Sequence, residues 1–295
     1  MQRHIVISFV SFYSVVFLLS VVGNVAVLRT CYRTMKRRPS SIKGFIANLA
    51  FSDLAFTLLS ILNCINFAWT WLGGTVTCKL QGFLVEACYN TSIMTLAAIS
   101  FERRKAVVTP FKTRTGDSDG ASKKLLAIWT ASLMTGCPLL YAYDVHMDAS
   151  GSLVCNNASF GVLGKQVYYS FHAVCIFLVP LTYMIYAQCT IFHTLRSRVA
   201  PTRSITNTMS SLQHQKIGKT LAALTVAFTV CWAPFIIVRT LMYFQLMDAG
   251  YLWRACQILI LVNTVLDPIL YGIYGENVKG FCEHFFGCCR HPTCF

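Results

Sequence analysis

The sequence predicts an all-α membrane protein: a seven-transmembrane helix bundle with a short amphipathic cytoplasmic helix after the last span. Three observations carry this expectation. Of 295 residues, 55% are hydrophobic and only 12% are charged, whereas a soluble domain carries about 25% charged residues. Seven separate stretches reach the roughly 20 apolar residues that a helix needs to cross a bilayer while satisfying its own backbone groups. The basic residues gather between alternate stretches instead of being spread along the chain. No polar linker divides the sequence, so residues 1–295 read as a single domain.

The stretches lie near Ile5–Leu28, Gly44–Phe67, Lys79–Phe101, Leu125–Tyr143, Val167–Phe192, Lys219–Phe244 and Tyr251–Tyr274. The first is too long for the apolar region of a secretory leader and lacks a small-x-small cleavage site, so it is kept as a span. About four residues precede it, and a ligand is expected to be met by the helices and their loops. Orientation follows from the Lys and Arg residues, which are enriched in short cytoplasmic loops. Six fall in Arg29–Lys43, seven in Arg103–Lys124, five in Arg196–Lys219, and two, Lys279 and Arg290, in the tail. The other five (Arg3, Lys79, Lys165, Arg239 and Arg254) lie on the opposite side or in the outer half of a span. The N-terminus is therefore expected outside and the C-terminus inside.

That placement also disposes of other classes. A net charge of +14 would suggest a nucleic-acid surface in a soluble protein; here it marks the cytoplasmic face, and no nucleic-acid partner is expected. The 14 cysteines have no C-x-x-C pairs and read as neither a zinc site nor a disulfide framework. No catalytic triad, metal-ligand spacing or phosphate loop supports an enzyme. A membrane transporter stays as an alternative class; such proteins usually show internal repeats, and none is found in the sequence.

Beyond the seventh stretch, Val278, Phe281, Cys282 and Phe285 recur at i, i+3, i+4 and i+7, the apolar face of an interfacial helix over residues 276–286. Cys282, Cys288 and Cys289 are palmitoylation candidates, with free thiols the alternative. Asn157-Ala158-Ser159 is a glycosylation sequon ahead of the fifth span, while Asn90-Thr91-Ser92 has the same form inside a span, where it is unreachable.

Ionisable groups inside spans are costly and usually functional. Asp53 lies in the second span and Asp267 in the seventh, accompanied by Asn24 and Asn263; polar glue between helices is the alternative reading. Their joint pattern is more telling. Gly23-Asn24 and Asn48-Leu49-Ala50 with Asp53 are followed by Trp71, Gly74 and Cys78, then by Glu102-Arg103-Arg104, Trp129 and Pro180. Phe228-x-x-Cys231-Trp232-x-Pro234 and Asn263-x-x-x-Asp267-Pro268-x-x-Tyr271 close the series. Together these motifs, one per span, resemble those of the rhodopsin-like (class A) G-protein-coupled receptors over nearly the whole chain.

The resemblance implies roles for particular residues. Ile93, Pro180 and Phe228 would form a packed connector beneath Trp232, with Pro180, Pro234 and Pro268 permitting kinks. Asp53, Ser92, Asn263 and Asp267 would form an allosteric sodium site, the only cofactor expected, unless one aspartate is simply protonated. Arg103, beside Glu102, would reach a heterotrimeric G protein when the sixth helix swings out. Cys78 and Cys155 would be paired. Arrestin and membrane lipid are the further partners implied, and the plasma membrane is the location. Two positions depart from the family. An acid that often restrains the arginine corresponds to His214, and a tyrosine eight residues after the fifth-span proline corresponds to Gln188.

For the ligand, Glu86, Tyr89 and Ile93 share one helix face, as do Trp232, Phe235 and Arg239. If the faces meet, with His172 and Gln257 as neighbours, they form an outer pocket holding an acid, a base and aromatics; alternatively Glu86 and Arg239 pair with each other. Val85 stands where monoamine receptors carry aspartate, and Leu261 where opsins carry the retinal-linking lysine, so neither ligand type is expected. The motifs look most like those of peptide receptors, although a proline common in their second span is missing between Thr57 and Phe67. A lipid or other small molecule is the alternative ligand.

Overall fold

Seven helices long and apolar enough to cross a membrane follow one another in the computed structural model, which describes residues 3–37, 40–109, 118–148, 151–198, 205–248 and 250–274. The interfacial helix expected over residues 276–286, with Cys282, Cys288 and Cys289, lies outside the described residues, as does the side chain of His214.

The first three spans are α1 (Arg3–Arg37), α2 (Ser41–Ala68) and α3 (Thr75–Val108). The fourth is α4 (Ser118–Gly136) continued by a short turn, α5 (Leu139–Ala142). The fifth is assembled from α6 (Gly161–Phe171), a π-helical stretch His172–Leu178 and α7 (Val179–Arg198). The sixth is α8 (Ile205–Tyr243) and the seventh α9 (Gly250–Tyr274). Several helices outrun the apolar stretches of the sequence, most at the end of the bundle that holds Arg37 and Arg103. Helical hydrogen bonds are local and persist past the bilayer, whereas hydropathy marks only the lipid-crossing part.

Prolines explain the irregular spans. The fourth breaks at Pro138, which cannot continue an incoming helix. In the fifth, Pro180 offers no N–H to Ile176, and just before it the N–H of Val179 bonds the carbonyl of Val174, five residues back. Such π-bulges are frequently found at functional sites. In the seventh span Pro268 leaves the carbonyl of Thr264 without its helical donor, and Asn24 of the first span supplies one, its Nδ2 lying 2.9 Å away. The spans approach closely there, because a Cβ on Gly23 would stand 3.1 Å from the Pro268 ring.

The third span is the axis of the bundle. In its most apolar window 67% of residues are buried, against 11% for the first span, and it packs against the second, fourth and fifth. Polar pairs pin it: Asn48 of the second span donates to Thr95 (2.9 Å) and itself accepts from Trp129 of the fourth (2.8 Å), and Asn90 donates to Thr135 (3.0 Å). Between the fourth and fifth spans the chain forms an antiparallel hairpin, β1 (Asp144–Met147) and β2 (Leu153–Asn156), with Val145 opposite Cys155. Nothing in the hydropathy pattern announces this hairpin.

Candidate functional site

The two helix faces picked out in the third and sixth spans meet near the outer end of the bundle. Glu86, Tyr89, His172, Trp232, Phe235 and Arg239 are all buried there. Glu86 Oε1 accepts the hydroxyl of Tyr89 and lies 2.9 Å from His172 Nδ1 and 3.9 Å from Arg239 Nη1. Arg239 Nη1 also donates to the Tyr89 hydroxyl at 3.1 Å. Glu86 and Arg239 therefore share one cluster instead of projecting separately. Gln257, on the seventh span, is half-buried, and its Oε1 accepts from Arg254 at 3.1 Å. Helical periodicity explains the convergence, since Glu86 and Tyr89 are one turn apart, as are Phe235 and Arg239.

Three residues of this region escaped the sequence. The guanidinium of Arg239 lies 4.6 Å from the Tyr169 ring centroid, and Tyr169 stacks on Tyr243 at 4.4 Å. Tyr243 extends the Arg239 face by one turn and Tyr169 precedes His172 by three residues, so periodicity carried further would have reached both. Asn157 had no such signal. It is 8% exposed and donates its Nδ2 to the hydroxyls of Tyr169 (2.8 Å) and Tyr243 (2.9 Å). That nitrogen is also the atom a glycan would be joined to. The sequon marks a clasp between the loop and two spans.

The loop itself is anchored by a disulfide between Cys78 and Cys155, with Cα atoms 5.6 Å apart. Trp71 packs against both cysteines, its N–H donates to the carbonyl of Leu153 at 2.7 Å, and Asn66 Nδ2 donates to the carbonyl of Cys155 at 3.2 Å. Hairpin, second span and third span are thus fastened together.

From the pocket a column of rings runs inward. Tyr89 and Trp232 have centroids 5.1 Å apart, Trp232 and Phe228 6.1 Å, and Phe228 and Phe177 5.6 Å. Ile93 and Phe228 are among the most buried side chains and share one core cluster with Trp232. Pro180 is buried on the fifth span below the π-helical stretch.

Deeper still, oxygen atoms collect. Ser92 donates to Asp53 Oδ1 at 2.7 Å, and Asn263 Nδ2 to Asp267 Oδ2 at 3.1 Å. Asp53 Oδ2, Asp267 Oδ1, Asn263 Oδ1 and Asn24 Oδ1 are buried with no partner among the described residues. Hydroxyls of Ser20, Thr57 and Thr264 bond one another alongside; sequence reading had not singled them out. An all-oxygen set with several unmet acceptors fits a hard cation. Near the opposite end of α3 from Glu86, Glu102 forms an ion pair with Lys124 of the fourth span, a partner the sequence did not suggest. Arg103 is half-buried in the same turn of α3, and the Tyr271 hydroxyl is buried with no partner among the described residues.

A bundle of seven membrane helices with a disulfide-anchored lid, an aromatic column and a buried carboxylate pair defines a receptor-like architecture. The chain belongs to the family described as 7 transmembrane receptor (rhodopsin family), which matches residues 23–271. It is similar to the QRFP-like peptide receptor of Branchiostoma floridae, 26% identical over 91% of this chain and 74% of that one. It is likewise similar to galanin receptor 2a of Danio rerio, at 28% over 94% and 77%. With apelin receptor A of Xenopus laevis the identity is 29% over 94% and 80%. The family is one of receptors, not enzymes.

Proposed function

We propose that the protein is a plasma-membrane receptor, N-terminus outside, that binds an extracellular peptide and activates a heterotrimeric G protein. The observation that carries this reading is the family match over residues 23–271 together with relatives named as peptide receptors. The geometry supplies a route from pocket to inner face. A peptide entering beneath the hairpin displaces Tyr89 or Arg239, Trp232 follows because its ring is packed on Tyr89, and Phe228 transmits the shift to the connector. Pro234, unable to donate to Val230, gives the sixth helix a weak point about which its inner half swings outward. That motion uncovers Arg103 for the G protein. Asp53, Ser92, Asn263 and Asp267 would hold a sodium ion that favours the resting arrangement, because a ligand shifts an equilibrium only by binding one state better.

The test is nucleotide exchange. Membranes containing the receptor and a promiscuous G protein are challenged with an extracellular peptide library. Concentration-dependent exchange that is absent from receptor-free membranes is expected. Exchange evoked only by lipids would overturn the peptide assignment, and solute flux into vesicles without exchange would overturn the receptor.

A further inference from the structure

Glu86 is the acid that a cationic ligand would seek, yet its charge is already answered by Arg239 and its Oε1 by Tyr89 and His172. Two nitrogens of the cluster remain unmet among the described residues, His172 Nε2 and Arg239 Nη2, and the second is always a donor. Arg239 is 3% exposed, gives Nη1 to Tyr89, and has no partner for Nη2 among the described residues. A guanidinium keeps its proton in proteins, so this N–H is a permanent donor on a permanent cation, and leaving it unmet in a buried site is costly. Rings hold it in place: the guanidinium carbon lies 4.6 Å from the centroid of Tyr169 and 4.8 Å from that of Phe235.

The charge count points the same way. Lys165 stands 5.9 Å from the ring of Tyr243, which stacks on Tyr169. Two fixed cations, Arg239 and Lys165, thus lie against this stack, and Glu86 is the acid bonded into it. A cationic ligand group would meet Arg239 with no spare acid beside it, whereas an acidic group would restore neutrality and satisfy the open donor. Charge-assisted pairs of this kind are among the stronger hydrogen bonds.

We propose that the outer pocket takes a ligand carboxylate onto Arg239 Nη2, so that the end of the peptide entering the bundle is acidic. The carboxylate belongs either to the C-terminus or to an Asp or Glu side chain. This rests on the peptide reading above, and the experiment separates the two. The library is synthesised with free C-terminal acids and with C-terminal amides, and a further set replaces each Asp and Glu by Asn and Gln. Active peptides are run on wild type, Arg239→Gln and Arg239→Lys at matched surface expression. Neutralising one carboxylate should cost roughly ten- to hundredfold in potency on wild type; loss on amidation identifies the C-terminus, and loss on Asn or Gln replacement identifies a side chain. On Arg239→Gln the acid and neutral forms should become equipotent, and on Arg239→Lys part of the preference should remain. Should Arg239→Gln fail to reach the surface, the wild-type and Arg239→Lys comparison decides alone. Peptides that stay fully potent with every carboxylate neutralised would overturn the anchor and leave the receptor standing. No exchange with any peptide would overturn the peptide reading and the anchor with it.

Discussion

Gln188 is 6% exposed, and neither atom of its amide has a partner among the described residues. An amide buried without hydrogen bonds costs about 1–3 kcal/mol per unmet group, while an apolar side chain of similar volume in the same place carries no such cost. Gln188→Leu should therefore raise the thermal stability of the detergent-solubilised receptor by about 1–3 kcal/mol; a loss of stability would mean that the amide is bonded in the native state. Asp53 presents the opposite case, a buried polar group whose unmet oxygen is suited to a ligand. Sodium chloride, compared with choline chloride, should stabilise the ligand-free receptor by roughly 1 kcal/mol at a few times the ion's dissociation constant. Asp53→Asn should abolish that difference. A wild type indifferent to the choice of cation would favour a protonated aspartate instead.

At the scale of elements, the lid is held from two directions. The Cys78–Cys155 bridge, Trp71 and Asn66 tie β2 to the second and third spans, and Asn157 ties the loop to the fifth and sixth. Cys78→Ala and Cys155→Ala should each abolish surface expression or agonist response, and normal potency in either would remove the bridge from this account. Asn157→Ala should lower thermal stability by about 1–3 kcal/mol, as two buried bonds are lost. Ser159→Ala separates clasp from glycan, for it destroys the sequon and keeps the amide. It should behave as wild type, and endoglycosidase should not change the mobility of the surface receptor. Equal loss in both variants would show that a glycan matters.

The same elements show what the sequence makes legible. Spans are easy to read because lipid allows only a helix with its polar groups internally paired, and the Glu86 and Arg239 faces follow from helical spacing. The Asn157 clasp is not legible because a sequon is a local pattern, while the two tyrosine partners lie 12 and 86 residues away. The Glu102–Lys124 pair was missed for a similar reason. It joins two spans, and which of seven basic residues between Arg103 and Lys124 would face Glu102 depends on how the helices pack.

For the whole molecule, the third span is the shaft on which every site is mounted. From Glu86 to Arg103 is 17 residues, about 25 Å of helix, with Ser92 and Ile93 between the two. A state change at either end must therefore be weighed against restraints at the other. At the inner end the carboxylate of Glu102 is drawn toward Lys124, a side chain 43% exposed, and so competes less well for the neighbouring Arg103. The sixth span offers His214 where an acid would otherwise restrain the arginine. Both features bear on the resting state, while Gln188 removes a support of the active one, so the single substitutions carry the prediction. Each is reversible by a single substitution. Lys124→Gln returns Glu102 to Arg103, and His214→Glu supplies an acid on the sixth helix; each should lower basal nucleotide exchange several-fold, the population change that about 1 kcal/mol brings. Exposed ion pairs are often worth less than that, so Lys124→Gln should have the smaller effect. At matched surface expression, a basal signal that rises in Lys124→Gln would reverse the sign of the argument, for it would mean that the Lys124–Glu102 pair belongs to the resting state and holds the fourth span against the third.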